Sequence, residues 1–237
     1  MNSLPSAERQ KPALLERITQ LWPEALSRDS APEEKALLNS DPNHETRQFT
    51  DEMTVQANDA ERKEVIARVD LEDGVYIGCA GLVLLHPFLP RLFEALGIAA
   101  EDKLEQPERA LRLLHFLATG QRIASEYELL LPKLLCNVPF EVVVESQIEL
   151  TTAEEEEAVA LLEAVIHHWD ALGDTSVDGL RGTFLARPGK LSRRDNGDDL
   201  LPVETRSFDI LLDRLPWGIG MIQLPWMKKI LWVEWAY

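Results

Sequence analysis

Residues 73–97, DGVYIGCAGLVLLHPFLPRLFEALG, constrain the chain more than any other stretch, because they set its densest apolar run among two prolines and several glycines. From Phe88 onward the apolar positions Phe88, Leu89, Leu92, Phe93 and Leu96 recur at helical spacing, with Pro87 or Pro90 tolerated in a first turn and Gly97 as the stop. The spacing predicts a buried helix there. His86 precedes a proline, which biases it away from the α region, so residues 82–85 read as a separate turn or a kinked lead-in. Such a segment organises a core, as a helix or a hairpin, and carries no chemistry of its own.

The rest of the chain supplies partners for it. Of 237 residues, 45% are hydrophobic, enough for one large domain or a domain with an appendage. Forty-one acidic residues against 24 basic ones give a formal net charge of −17. That charge opposes wrapping nucleic acid or settling on an anionic bilayer, and at long range favours a basic partner surface or simply keeps the chain in solution. Cys79 and Cys136 have neither a disulfide-framework nor a zinc spacing, and their apolar neighbours argue for reduced, buried thiols. The start of the chain lacks a basic-then-apolar signal pattern. The longest apolar run, residues 82–85, falls far short of the roughly 20 residues of a membrane span, so a cytoplasmic protein is expected.

In chain order, Leu14, Leu15, Ile18, Leu21 and Trp22 form one helical face, residues 27–42 read as linker, and a helix over 49–69 has only the thin face of Met53, Ala57, Ala60 and Val65. Residues 1–70 are therefore expected to be a helical arm and linker, weakly docked or completed by another protein, ahead of a globular unit over 71–237. Within that unit, residues 108–119 are apolar on most sides and predict a helix buried nearly all round, ended by Gly120. Ser125 with Glu128 is a capping-box pattern opening a leucine-rich helix through Pro132 that closes near Asn137, and residues 142–144 read as a short extended segment. Thr151 with Glu154 is a second box, and the acidic run 154–157 complements the helix dipole. The rhythm Ala158, Leu161, Leu162, Val165, Ile166, Trp169, Leu172 predicts about 20 residues of helix, ~30 Å, up to Gly173. Residues 177–185 predict a further helix with Leu180 and Phe184 inward.

Beyond residue 190 the period changes. Asp195-Asn196-Gly197-Asp198 signals a turn; Phe208, Ile210 and Leu212 alternate as in a strand; Ile222 and Leu224, then Leu231, Val233 and Trp235, suggest two more strands separated by Pro225. The fold class is α+β, a mainly helical body with a small C-terminal antiparallel sheet. No repeat of solenoid period is present.

Candidates for chemistry are thin. His167 and His168, with Glu163 one turn earlier, point about 100° apart on a helix and cannot share a metal as an i, i+4 pair would. Cys79 and His86 lack an orienting third group. Gly182 and Gly189-Lys190 match a phosphate loop neither in spacing nor in the hydroxyl expected after the lysine, since Leu191 stands there. His115 lies inside a buried helix. No catalytic, cofactor-binding or metal-ligating residue is assigned. The feature left over is aromatic: Trp217, Trp226, Trp232 and Trp235 are four of the six tryptophans. They either fill the core or form a docking surface. On an alternating strand Trp232 points opposite to Trp235, leaving one free for a partner. Pro225 is expected to make the chain bulge or turn and present Trp226, Met227 and Lys228 at a sheet edge, so Trp217, Trp226, Met227, Lys228 and Trp232 are the partner-binding candidates.

The wording Ala80-Gly81-Leu82-Val83-Leu84-Leu85-His86-Pro87-Phe88-Leu89, then Leu212-Asp213-Arg214-Leu215-Pro216-Trp217 and Leu224-Pro225-Trp226-Met227-Lys228, resembles the contractile injection system tape measure family. So do Gly120, Leu134-Leu135-Cys136-Asn137 and Thr175-Ser176-Val177-Asp178-Gly179-Leu180-Arg181-Gly182. The resemblance runs in order over 71–235 and is not visible before residue 70. It implies a non-enzymatic structural or assembly protein of a phage-tail-like contractile particle, in which a tape measure occupies the tube lumen and sets tube length. A ruler works by extended length, and 70 residues of helix span only on the order of 100 Å. A terminator or adaptor docking on tube, baseplate or cap proteins is therefore expected, with an assembly chaperone as the alternative and a metal-dependent hydrolase as the rival from another class. Self-association into a homo-oligomer stays open; nucleic acid and membrane are not expected partners.

Overall fold

The computed structural model describes residues 71–144 and 149–235, so the expected N-terminal arm and its linker lie outside the described residues. The central stretch forms strand β1 (Val75–Ile77), a 3-10 helix (Ala80–Leu85) and helix α1 (Leu89–Ala95). Every residue of the 3-10 helix is buried, as are Leu89, Leu92 and Phe93. Pro90 sits in the first turn of α1, and Gly97 takes φ +65° just beyond it, where a residue without Cβ costs least. The lead-in is separate as expected, but His86 lies in the α region (φ −52°, ψ −36°) despite the proline after it. Its ring Nδ1 lies 3.0 Å from Val83 O, and Phe88 N–H donates to Leu85 O, so local bonding outweighs the proline bias. At Gly81 a Cβ would lie 1.8 Å from Phe184 O. Only glycine lets the 3-10 helix lie directly on the backbone of the later 181–185 turn.

A two-residue hairpin, β2 (Ala99–Ala100) with β3 (Lys103–Leu104), leads into α2 (Pro107–Thr119). Residues 110–118 of α2 are all buried, Arg112 and His115 included, and Gly120 ends the helix at φ +73°. The Ser125 box opens a 3-10 turn (Glu126–Leu129) that runs into α3 (Leu130–Leu135), closed at Asn137 with φ +52°. Residues 142–144 form no strand. Glu126 explains why, since its Oε1 takes the Val144 N–H at 2.6 Å while its Oε2 holds the buried Lys133 ammonium at 2.6 Å. The backbone donor a ladder would use goes to a side chain instead.

Helix α4 (Thr152–His168) begins at its predicted box, with Thr151 N–H donating to Glu154 Oε2 at 2.7 Å. Buried Glu154 also pairs with Arg109 of α2. The helix is 17 residues long, shorter than expected, because Trp169 leaves the helical region and the chain tightens into a 3-10 turn (Asp170–Leu172) before Gly173. The Trp169 ring is fully buried and its Nε1–H donates to Leu211 O at 3.0 Å, a geometry one more α turn would not give. Next come α5 (Val177–Leu180) and a π turn (Arg181–Leu185), with Leu180 and Phe184 inward as expected.

The sheet has five strands, in the order β1, Gly189–Arg193 (β4), Asp199–Pro202 (β5), Leu231–Glu234 (β7) and Met221–Ile222 (β6). β4 and β5 form the hairpin that the 195–198 turn predicts, while β6 and β7 flank the second Leu-Pro-Trp segment. The sheet is mixed rather than antiparallel, because β7 runs parallel to β5, and β1 of the central stretch joins it by pairing with β4. Alternation reports which face a residue takes, not strand direction. The expected strand at 208–212 is a 3-10 helix (Ser207–Arg214). Ile210 is 66% exposed, whereas Phe208, Leu211, Leu212 and Leu215 face inward at helical spacing.

Candidate partner-docking surface

The C-terminal segment is fastened to the body by its tryptophans. Residues 215–217 and 224–226 both read Leu-Pro-Trp, and each indole caps a helix end. Trp217 Nε1–H donates to Leu84 O at 3.0 Å, at the end of the central 3-10 helix, and its ring meets Phe88 edge-on at 5.1 Å. Trp226 Nε1–H donates to Leu135 O at 2.7 Å, at the last turn of α3, and its ring stacks on Phe93 at 5.4 Å. Carbonyls at a helix C-terminus have no intrahelical donor, so these two bonds fill vacancies that the central elements leave. The two rings thus cover Phe88 at the start of α1 and Phe93 within it.

A second fastening is ionic. Arg187 and Asp209 are buried and pair through two bonds, Nη1 to Oδ2 at 3.0 Å and Nη2 to Oδ1 at 2.9 Å. Arg187 also donates to Thr183 O and Glu204 O, while Asp209 accepts from Arg206 N–H and from Trp235 Nε1–H at 2.9 Å. The guanidinium lies 4.9 Å from the Phe208 ring centre and 5.3 Å from that of Trp235. One network thus joins the π turn, the 3-10 helix of 207–214 and the end of β7. Sequence reasoning missed both residues; an aspartate between Phe208 and Ile210 is the only trace.

These fastenings revise the expected exposure. Pro225 occupies the second position of a tight turn closed by Met227 N–H to Leu224 O at 2.9 Å, so of the bulge and the turn the chain takes the turn, and it folds back on the body. Met227 is buried, with Leu224 N–H at 3.4 Å from its sulfur, and Trp226 is half-buried against Phe93. Trp217 is buried too. Lys228 and Lys229 are exposed, and the half-buried Trp232 faces opposite to buried Trp235, as the strand alternation predicts. Trp232 Nε1–H donates to Asp198 Oδ2 at 3.0 Å, and Arg194 lies 5.2 Å over its ring.

Beside the second Leu-Pro-Trp turn lies a cleft of about 390 Å³. Leu134, Val138, Phe140 and Met227 supply apolar lining; Glu141, Arg193, Asp199, Lys228 and Lys229 supply charge. One wall is fixed by Lys133, whose ammonium donates to Phe140 O at 3.1 Å as well as to Glu126. Asp199 pairs with Arg193 at 3.2 Å, yet burial, the larger influence, raises its carboxyl above the usual carboxylate range.

The residues tested for chemistry are spread apart. Burial pushes the Cys79 thiol up to about 12, with Glu128 adding to it, and its Sγ lies 3.7 Å from Glu128 O rather than on His86. Burial likewise raises Cys136. Thiols so raised are protonated at neutral pH and poor nucleophiles. His115 Nε2 lies 3.1 Å from Ile123 O and 3.3 Å from Thr119 Oγ1, a satisfied core histidine. Glu163 and His167 face solvent. Among the described residues no three His, Cys, Asp or Glu side chains converge in a way that could hold a metal ion, and no helix is long and apolar enough to cross a membrane.

Fold and site together define an α+β protein, in which bound tryptophans and a buried ion pair fix a C-terminal segment on a helical body. Its sequence matches the family model of the contractile injection system tape measure protein over residues 2–235, and the chain belongs to that family. The match begins at residue 2, so the likeness is not confined to 71–235 as expected from the motifs; the N-terminal part shares it without sharp wording. No curated protein and no solved structure matches the chain significantly.

Proposed function

We propose that this tape-measure-related protein acts without catalysis as a terminator or adaptor, docking on a tube or baseplate protein of the contractile particle through its C-terminal segment. What supports a docking body over a ruler is that the longest described helix, α4, has 17 residues, about 25 Å, and the described chain is otherwise short elements around one core. The surface that fits such a contact is the outer side of residues 226–232: the half-buried Trp226 and Trp232 with the exposed Lys228 between them. Trp217 and Met227 serve it from inside, by holding the turn in place. Synthesis in the cytoplasm and incorporation into the particle follow from that role, as does a separable unit over residues 1–70.

Lysine-directed cross-linking of purified particles, read by mass spectrometry, tests the contact. Links from Lys228 and Lys229 to a tube or baseplate protein are expected. If those lysines link only within the chain while lysines elsewhere on it reach the particle, the contact lies on another face.

A further inference from the structure

The cleft beside residues 227–229 carries its own chemical signature. The chain bears a net charge of −17, yet the lip of this cleft gathers Lys228, Lys229 and Arg193 within one site. Among the described residues neither lysine takes part in an ion pair, whereas Arg193 is paired with Asp199. Asp199 also feels the charge of Lys229, so Asp199 and Glu141 set two carboxylates against the three cations of the lip. Below them the lining is apolar, from Leu134, Val138, Phe140 and Met227. The walls are preformed: Lys133 fixes the 139–144 loop from inside, and Trp226 ties the opposite side to the end of α3. A volume of about 390 Å³ has room for a few side chains and is far too small for a folded element.

Resting on the assembly role proposed above, we infer that this cleft receives an extended acidic peptide segment of a particle protein, one apolar side chain entering between Phe140 and Met227 while flanking carboxylates meet Lys228 and Lys229. Charge complementarity selects the occupant. A basic segment would face the ammonium groups of Lys228 and Lys229, while a second copy of this chain carries the same net charge of −17 and is distinguished by the test below. The same net charge repels an acidic peptide at a distance, but at physiological salt charges beyond about 8 Å are screened while contacts at the lip persist.

The test uses the full chain and two fluorescein-labelled synthetic peptides, one with a Leu-Phe centre flanked by Asp and Glu, the other with the same centre flanked by Lys and Arg, read by fluorescence anisotropy at physiological salt. Saturable binding of the acidic peptide is expected, together with about a tenfold loss in the Lys228→Glu, Lys229→Glu double variant. Both lysines are exposed, and an unchanged melting curve confirms that the variant is folded. Equal binding of the two peptides, absence of saturation, or indifference to the double substitution overturns the inference, as does a concentration-dependent dimer abolished by the same substitutions. The double variant is also assayed for incorporation into particles. Failure of the peptide assay with the wild-type chain still present in particles sinks the cleft chemistry alone; selective peptide binding by a chain absent from particles sinks the assembly role alone.

Discussion

Replacing Asp209 by Asn would remove one charge from the centre of the C-terminal fastening without changing its shape. In the native protein its carboxylate receives both terminal nitrogens of Arg187, the Arg206 amide and the Trp235 indole. The amide oxygen of Asn can still accept from two of these, but the amide nitrogen would confront a guanidinium with nothing to offer it. Arg187 would then be a buried cation without a counter-charge, a change that costs about 3–5 kcal/mol. Arg187→Met should cost a similar ~3–5 kcal/mol by stranding the carboxylate. For a protein of this size that lowers Tm by roughly 6–20 °C. The two losses should not add: in the Arg187→Met, Asp209→Asn double variant neither charge of the pair remains, and Phe184, Phe208 and Trp235 surround the new methionine. A double-mutant cycle by urea denaturation followed by circular dichroism measures the coupling, expected at about 2 kcal/mol or more. Single variants each within about 1 kcal/mol of wild type, or strict additivity, would refute the claim that this pair fastens the segment.

Three further outcomes follow from other parts of the structure. Leu92→Ala or Phe93→Ala should destabilise by about 2–5 kcal/mol in denaturant titration, since both side chains are fully buried in the central element; an unchanged midpoint would place that helix outside the core. Stability should fall as pH drops below the ordinary histidine value of 6.5, because burial lowers the folded-state pKa of His86, His115 and His168, so the unfolded chain takes up protons that the folded one resists. That contribution is fully present above 6.5 and lost as pH descends toward the folded values; melting curves between pH 7.5 and 5, with His115→Gln flattening the slope, check it. Proteolytic removal of residues 1–70 should leave a fragment that melts cooperatively, and loss of the transition would make that segment part of the core.

The parts of the fold that were legible are those where local chemistry decides. Both capping boxes, the glycine stops at 97 and 120, the all-round apolar α2 and the 195–198 turn depend on neighbours a few residues apart, and each formed where its residues predict. The misreadings came from longer range. A parallel pairing of β5 with β7 leaves no mark in either strand. In residues 208–215 two periods overlap, and the buried Asp209 settles the conflict for a helix by meeting Arg187. Pro225 was consistent with a bulge or a turn, and the Trp226 bond to Leu135, 91 positions earlier, goes with the turn. The candidate site was half visible for the same reason. Alternation separates Trp232 from Trp235, but whether an indole is a docking group or a fastener depends on a carbonyl supplied from elsewhere in the chain.

Membership of the family makes this chain a structural part of a contractile particle. That role is tested by deleting its gene and measuring tube and sheath by electron microscopy, with mass spectrometry of the gradient-purified fractions. The protein is expected in wild-type particles or their assembly intermediates, and its loss is expected to abolish particles or leave tubes of uncontrolled length, with restoration by the wild-type chain. Particles of normal number and uniform length in the deletion strain would contradict it.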